Sequence, residues 1–71
     1  MTADLGPLLV RWRRFRRALN VDDHAAMDRL IAAVEARGSM IARETDDTLE
    51  AAVVAVLIEL VQEADRRAAR A

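Results

Sequence analysis

Cysteine, lysine and tyrosine are absent from this 71-residue chain, and histidine and proline each occur once. Without cysteine there is no disulfide and no thiolate metal ligand, and a single histidine leaves zinc without a ligand set. Zero cysteines fit a cytosolic setting, so a cytoplasmic location is expected. All 11 basic residues are arginine, which reads as compositional bias rather than chemistry. With two glycines and one proline there is no linker, and no repeat or low-complexity segment breaks the chain, so residues 1–71 are expected to form a single helical domain. No apolar run approaches the ~20 residues of a membrane span. The first apolar stretch, Leu8-Leu9-Val10, runs straight into arginines, the reverse of the secretory order, so no signal peptide is expected.

These absences bear on stability. At this size one core supplies about 3–5 kcal/mol of net stability, and small folds add disulfides, a metal or self-association. Composition removes the first two and leaves the third.

The stretch that organises the chain is Leu49–Val61. At about 100° per residue, Leu49, Val53, Val56, Leu57, Leu60 and Ala64 fall on one stripe of a helix, and Val54, Ile58 and Val61 widen it. The apolar arc spans roughly 200°, against roughly 100° for an ordinary surface helix. Ala55, Glu59, Gln62 and Glu63 mark the side expected to face water. A helix this apolar needs cover on two flanks. The rest of the chain is expected to cover one and a second copy the other, through Val54, Leu57, Ile58 and Val61. Thr45, Asp46 or Asp47 is expected to cap this helix, and Asp47-Thr48-Leu49-Glu50 has the spacing of a capping box. Arg66, Arg67 and Arg70 suit the negative end of its dipole, and Ala68–Ala71 are expected to fray.

Two further helices precede it. The first is expected from Gly6 or Pro7 to Ala18 or Leu19, capped by Asp4, with Pro7 in the first turn where its missing N–H costs nothing. Leu5, Leu8, Leu9, Trp12, Phe15 and Leu19 make its inner face. Arginines fill the remainder, except Arg16, which the wheel places inside the apolar stripe. A covered charge needs a partner, so Arg16 is expected to be covered and to meet Trp12 or a carboxylate of another helix. Asn20 and Asp23 have capping-box spacing at the start of the second helix, which is expected to run to Ala36 or Arg37 through Met27, Leu30, Ile31 and Val34. Gly38 is expected to stop it in the left-handed conformation. Met40 and Ile41 are expected to plug the end of the core. The fold expected is all-α: three helices, an antiparallel hairpin of the second and third with the first packed on it, completed as a dimeric bundle.

Charge is uneven along the chain. Residues 1–20 hold five arginines against Asp4, and residues 21–71 hold six against eleven carboxylates. The helical cluster Arg11, Arg13, Arg14 and Arg17 can bind phosphates of a nucleic acid by releasing counterions. The plainer reading pairs these arginines with carboxylates of the later helices, and it gains weight because Trp12 and Phe15 share the apolar face instead of offering stacking platforms. A basic amphipathic helix with Trp and Phe can also lie on an anionic membrane, a use that the acidic remainder disfavours. His24 with Asp28 and Glu35 looks like an acid–base pair, but no nucleophile, second histidine or glycine-rich cradle accompanies it. Glu59 and Glu63, with Glu44 and Asp47 ahead of them, have spacings comparable to those of magnesium-dependent all-helical nucleotide pyrophosphohydrolases. No second paired-carboxylate motif follows on an adjoining helix. No catalytic residue, cofactor or metal ligand is therefore assigned, and the chain is expected not to be an enzyme.

The order Arg14-Phe15-Arg16-Arg17-Ala18-Leu19, then Asp23-His24-Ala25-Ala26-Met27-Asp28-Arg29-Leu30, then Leu49-Glu50-Ala51-Ala52 leading to Leu57-Ile58-Glu59, resembles a group of short uncharacterised archaeal and bacterial proteins. The resemblance covers about residues 11–65. It implies the helical architecture and no activity, and Met40–Asp47 departs from the proline-containing stretch of that group.

Overall fold

Three helices and two short connections make up residues 4–70, the residues that the computed structural model describes. Helix α1 spans Gly6–Ala18, α2 Val21–Ala42 and α3 Thr48–Arg70. The local chemistry sets the boundaries. An Asp4 carboxylate oxygen accepts the Gly6 N–H at 3.0 Å, and Pro7 sits in the first turn of α1. Leu19 and Asn20 are extended and turn the chain into α2. The capping box expected at Asn20 does not form: Asn20 contributes its carbonyl, which accepts the Asp23 N–H at 2.9 Å, and no side-chain cap. Half of the box expected at α3 is made. An Asp47 carboxylate oxygen accepts the Glu50 N–H at 3.0 Å, while the Asp47 N–H itself donates to Thr45 Oγ1 at 3.1 Å. At the other end α3 stays helical to Arg70, where fraying was expected; Ala71 lies outside the described residues.

Gly38 does not stop α2. The helix continues through Ser39, Met40 and Ile41 to Ala42, and no described residue has a positive φ. The glycine serves packing instead. A Cβ at position 38 would lie 2.6 Å from Leu5 Cδ1 and 3.2 Å from Val34 Cγ1, so its absence lets the start of α1 seat against α2.

α2 and α3 form the expected antiparallel hairpin. Its register is visible in three cross-helix neighbours: Ala42 beside Ala51, Arg37 beside Glu59, and Arg29 beside Glu63. α1 lies on the hairpin mainly against α2. Leu8 is buried with Val34 and Ala52, and Leu5, Leu9, Trp12 and Val56 pack around that group. Leu8 and Val34 are the largest fully buried side chains, and the rest of the buried apolar set is Met27, Ile31 and five alanines. Met40 and Phe15, both expected in the core, are exposed, while Ile41 is half-buried.

α3 is turned relative to the expected orientation: the side that carries Ala55, Glu59 and Glu63, expected to face water, is the inner one, while Val54, Leu57, Ile58 and Val61 lie away from the rest of the chain as expected. Ala51, Ala52 and Ala55 are its buried residues, and Glu59 and Glu63 stand on the same side, partly covered by α2. The large aliphatics Leu49, Val53, Val54, Leu57, Ile58, Leu60 and Val61 face outward, each 37–59% exposed. Alanine lets two helix backbones approach closely, and arginines on α2 neutralise the two glutamates. That combination gives α3 a fitted inner face without its bulky side chains. The molecule measures 42 × 29 × 14 Å; its thinnest dimension is about two helix layers, given helix axes ~8–10 Å apart, and none of the described residues covers the large aliphatics on the outer face of α3.

Candidate interaction surfaces

Three features of this fold carry chemistry: the outer face of α3, the arginines of α1, and the ion pairs that join the helices.

The outer face of α3 is a continuous apolar strip. A shallow groove in it is lined by Val54, Leu57, Ile58, Val61 and Gln62. The four aliphatics singled out from the sequence for self-association therefore lie together, and they lie open. Val53 and Leu60 border them, with Leu60 beside Ala26, Leu30 and Ala33 of α2, and Val56 turns inward to the group of Leu8, Val34 and Ala52. Soluble chains seldom leave a contiguous apolar strip of this kind uncovered, and such patches mark contact sites.

The arginines of α1 divide into two sets. Arg16 and Arg13 turn toward α2. The Arg16 guanidinium donates from Nε to one Asp28 carboxylate oxygen at 2.6 Å and from an Nη to the other at 3.3 Å. This two-point contact raises the Arg16 pKa and lowers that of Asp28. The expected carboxylate partner is thus present, although the side chain is 39% exposed and only partly covered. Arg13 approaches Glu35 at 3.7 Å, both half-exposed. Arg11, Arg14 and Arg17 follow one another at three-residue spacing along α1. All three are exposed, and no carboxylate of the described residues lies within ion-pair distance of them. Of the four arginines considered from the sequence for anion contact, only Arg13 thus has a carboxylate neighbour among the described residues.

The histidine and glutamate groupings considered from the sequence are taken up by structure. Asp28 and Glu35 hold Arg16 and Arg13, and the His24 Nε2 lies 3.2 Å from the Leu19 carbonyl, tying the first turn of α2 to the end of α1. Glu59 meets Arg37 and, at 3.4 Å, Arg66; Glu63 meets Arg29 and, at 2.9 Å, Arg67. Arg37 also donates to Gln62 Oε1 at 2.5 Å. Hydrogen bonds from Arg37 and Arg29 are the main cause of the lowered pKa values of Glu59 and Glu63, with the neighbouring positive charges adding to them. Each carboxylate is thus neutralised twice by arginine, and no group of three metal-ligating side chains occurs among the described residues. The sequence carried a signal for this arrangement. Arg29 and Arg37 are two helical turns apart on α2, and Glu59 and Glu63 one turn apart on α3, on the alanine side of that helix.

No protein-family model matches the chain, and no curated protein or solved structure is significantly similar to it. The resemblance in helix order therefore rests on the quoted residues alone. No helix among the described residues is long and apolar enough to cross a membrane.

Proposed function

We propose that this chain is a small, non-enzymatic interaction module of the cytoplasm that self-associates as a homodimer through the outer face of α3. The observation that carries the proposal is the way α3 is turned. Its alanines and glutamates pack on α2, and its large aliphatics, Val54, Leu57, Ile58 and Val61 among them, are left without cover. A core in which only Leu8 and Val34 are large and fully buried gains most from a partner that dries this strip, at about 25 cal/mol per Å² of apolar surface removed from water. Sedimentation velocity tests the proposal. The native chain is expected to sediment as a dimer. Ile58→Glu and Val54→Glu, which put a charge in the strip at positions that are themselves exposed, are expected to give folded or partly folded monomers. A native chain that is monomeric and fully folded at all accessible concentrations rejects the proposal.

A second reading rests on Arg11, Arg14 and Arg17, whose row along α1 has no carboxylate neighbour among the described residues. Three such cations can follow a phosphate backbone. Fluorescence anisotropy with duplex DNA and RNA decides it. The reading expects binding that weakens steeply with salt and is lost on replacing the three arginines with alanine. No binding at low salt removes it.

A further inference from the structure

The outer face of α3 has an internal order beyond being apolar. Glu50, Val54, Leu57, Val61, Ala64 and Ala68 follow one another at alternating intervals of four and three residues, the spacing of the central seam of a two-helix coiled coil. Val54, Leu57 and Val61 fill three successive seam positions. Val53, Ile58 and Leu60 flank the seam. Most of the residues that α3 turns to the rest of its own chain, Ala52, Ala55, Val56, Glu59 and Glu63, lie on the other side of the same helix, and Ala51, which packs on Ala42, lies at a flank of the seam. The central seam positions Val54, Leu57 and Val61 are thus clear of the buried intramolecular contacts.

Charge along α3 and the turn before it changes sign. Glu44, Asp46, Asp47 and Glu50, against the single Arg43, gather at the N-terminal end of α3, and Arg66, Arg67 and Arg70, against the single Asp65, at its C-terminal end, where Arg66 and Arg67 also meet Glu59 and Glu63. Two copies laid parallel would put acid beside acid and arginine beside arginine. Two copies laid antiparallel put the acidic end of each beside the basic end of the other, and they oppose the two helix dipoles as well.

Resting on the self-association proposed above, we infer that the partner is a second copy of this chain whose α3 runs antiparallel to the first about a two-fold axis level with Glu59. The seam fixes the register. Val54 of each copy faces Ala64 of the other, and Leu57 faces Val61, so every layer pairs one larger with one smaller or branched side chain. On the flanks, Ile58 meets Ile58 and Leu60 meets Leu60 across the axis. Glu50 comes beside Arg67 and Ala68 of the second copy. Each surface meets its own copy, as a two-fold interface requires.

The absence of cysteine makes the arrangement directly testable, because any thiol introduced is the sole reporter. Val54→Cys and Ala64→Cys are prepared separately, mixed, allowed to exchange, and oxidised; the products are resolved by non-reducing electrophoresis and mass. Antiparallel pairing is expected to give the mixed Val54→Cys/Ala64→Cys disulfide as the dominant product, with each variant alone staying largely uncrosslinked. Symmetrical disulfides within each variant, from a chain that sediments as a dimer, overturn the antiparallel arrangement and leave the dimer standing. A dimer that forms neither kind of disulfide places the interface away from this seam and overturns the inference as well. A chain that sediments only as a monomer overturns the self-association itself.

Discussion

Arg16, Arg29 and Arg37 each hold a carboxylate of a different helix, in contacts that stay partly open to solvent. Asp28, Glu59 and Glu63 all have lowered pKa values, in each case chiefly because an arginine N–H donates to the ionised carboxylate. The sign of the consequence is fixed by linkage. Between the ordinary values of 3.8 for aspartate and 4.5 for glutamate and the lower values in the folded chain, the unfolded chain binds more protons than the folded one. The stabilisation is complete above the ordinary values and is lost as pH falls through the folded ones. The raised pKa of Arg16 adds no pH dependence in the same window, since arginine is protonated in both states. Urea unfolding followed by circular dichroism is therefore expected to give a flat stability from pH 7 to about 5 and a steady fall below that. The triple variant Asp28→Asn, Glu59→Gln, Glu63→Gln is expected to be less stable at neutral pH and to show a shallower acid limb. An unchanged limb in that variant would assign the pH dependence to other carboxylates.

At the scale of the helix, existence and extent were easier to read than orientation. The boundaries of α1 follow from Asp4, Pro7 and the extended pair Leu19-Asn20, and all three signals are local. The start of α3 follows in the same way from Asp47. Gly38 misled because a glycine near a helix end commonly marks a left-handed stop, whereas here its value lies in contact with Leu5, thirty-three residues away in sequence. The face of α3 misled for a related reason. Periodicity says which residues share a side, but the usual step from the apolar side to the inner side assumes that the largest side chains win the contact. On α3 the small side wins, because Ala51, Ala52 and Ala55 admit α2 closely and Arg29 and Arg37 stand where they meet Glu63 and Glu59. The candidate self-association residues Val54, Leu57, Ile58 and Val61 were therefore legible as a group set apart from the rest of the chain, while the exposure of Leu49, Val53 and Leu60 was not. Arg16 was legible as a paired charge because its place in an apolar stripe demanded a partner, although the sequence left open which carboxylate it would meet.

For the whole molecule, a thin three-helix body leaves the outer face of α3 apolar and open. A 71-residue chain that buries only two large side chains completely lies near the lower limit of independent stability. If the cover for that face comes from another copy, folding and association become one equilibrium, and stability depends on protein concentration. The size of the effect can be estimated. Two chains unfolding together absorb about 100 kcal/mol at ~0.7 kcal/mol per residue, so a dimer that dissociates on unfolding raises its midpoint by about 5 °C for each tenfold increase in concentration. Thermal unfolding of the native chain over a hundredfold concentration range is expected to show this rise, and Ile58→Glu is expected to show a lower midpoint that no longer moves. The contrast between the two chains carries the test. A midpoint independent of concentration in both would mean that α1 and the alanine face of α3 suffice to hold one chain together with its aliphatic strip wet.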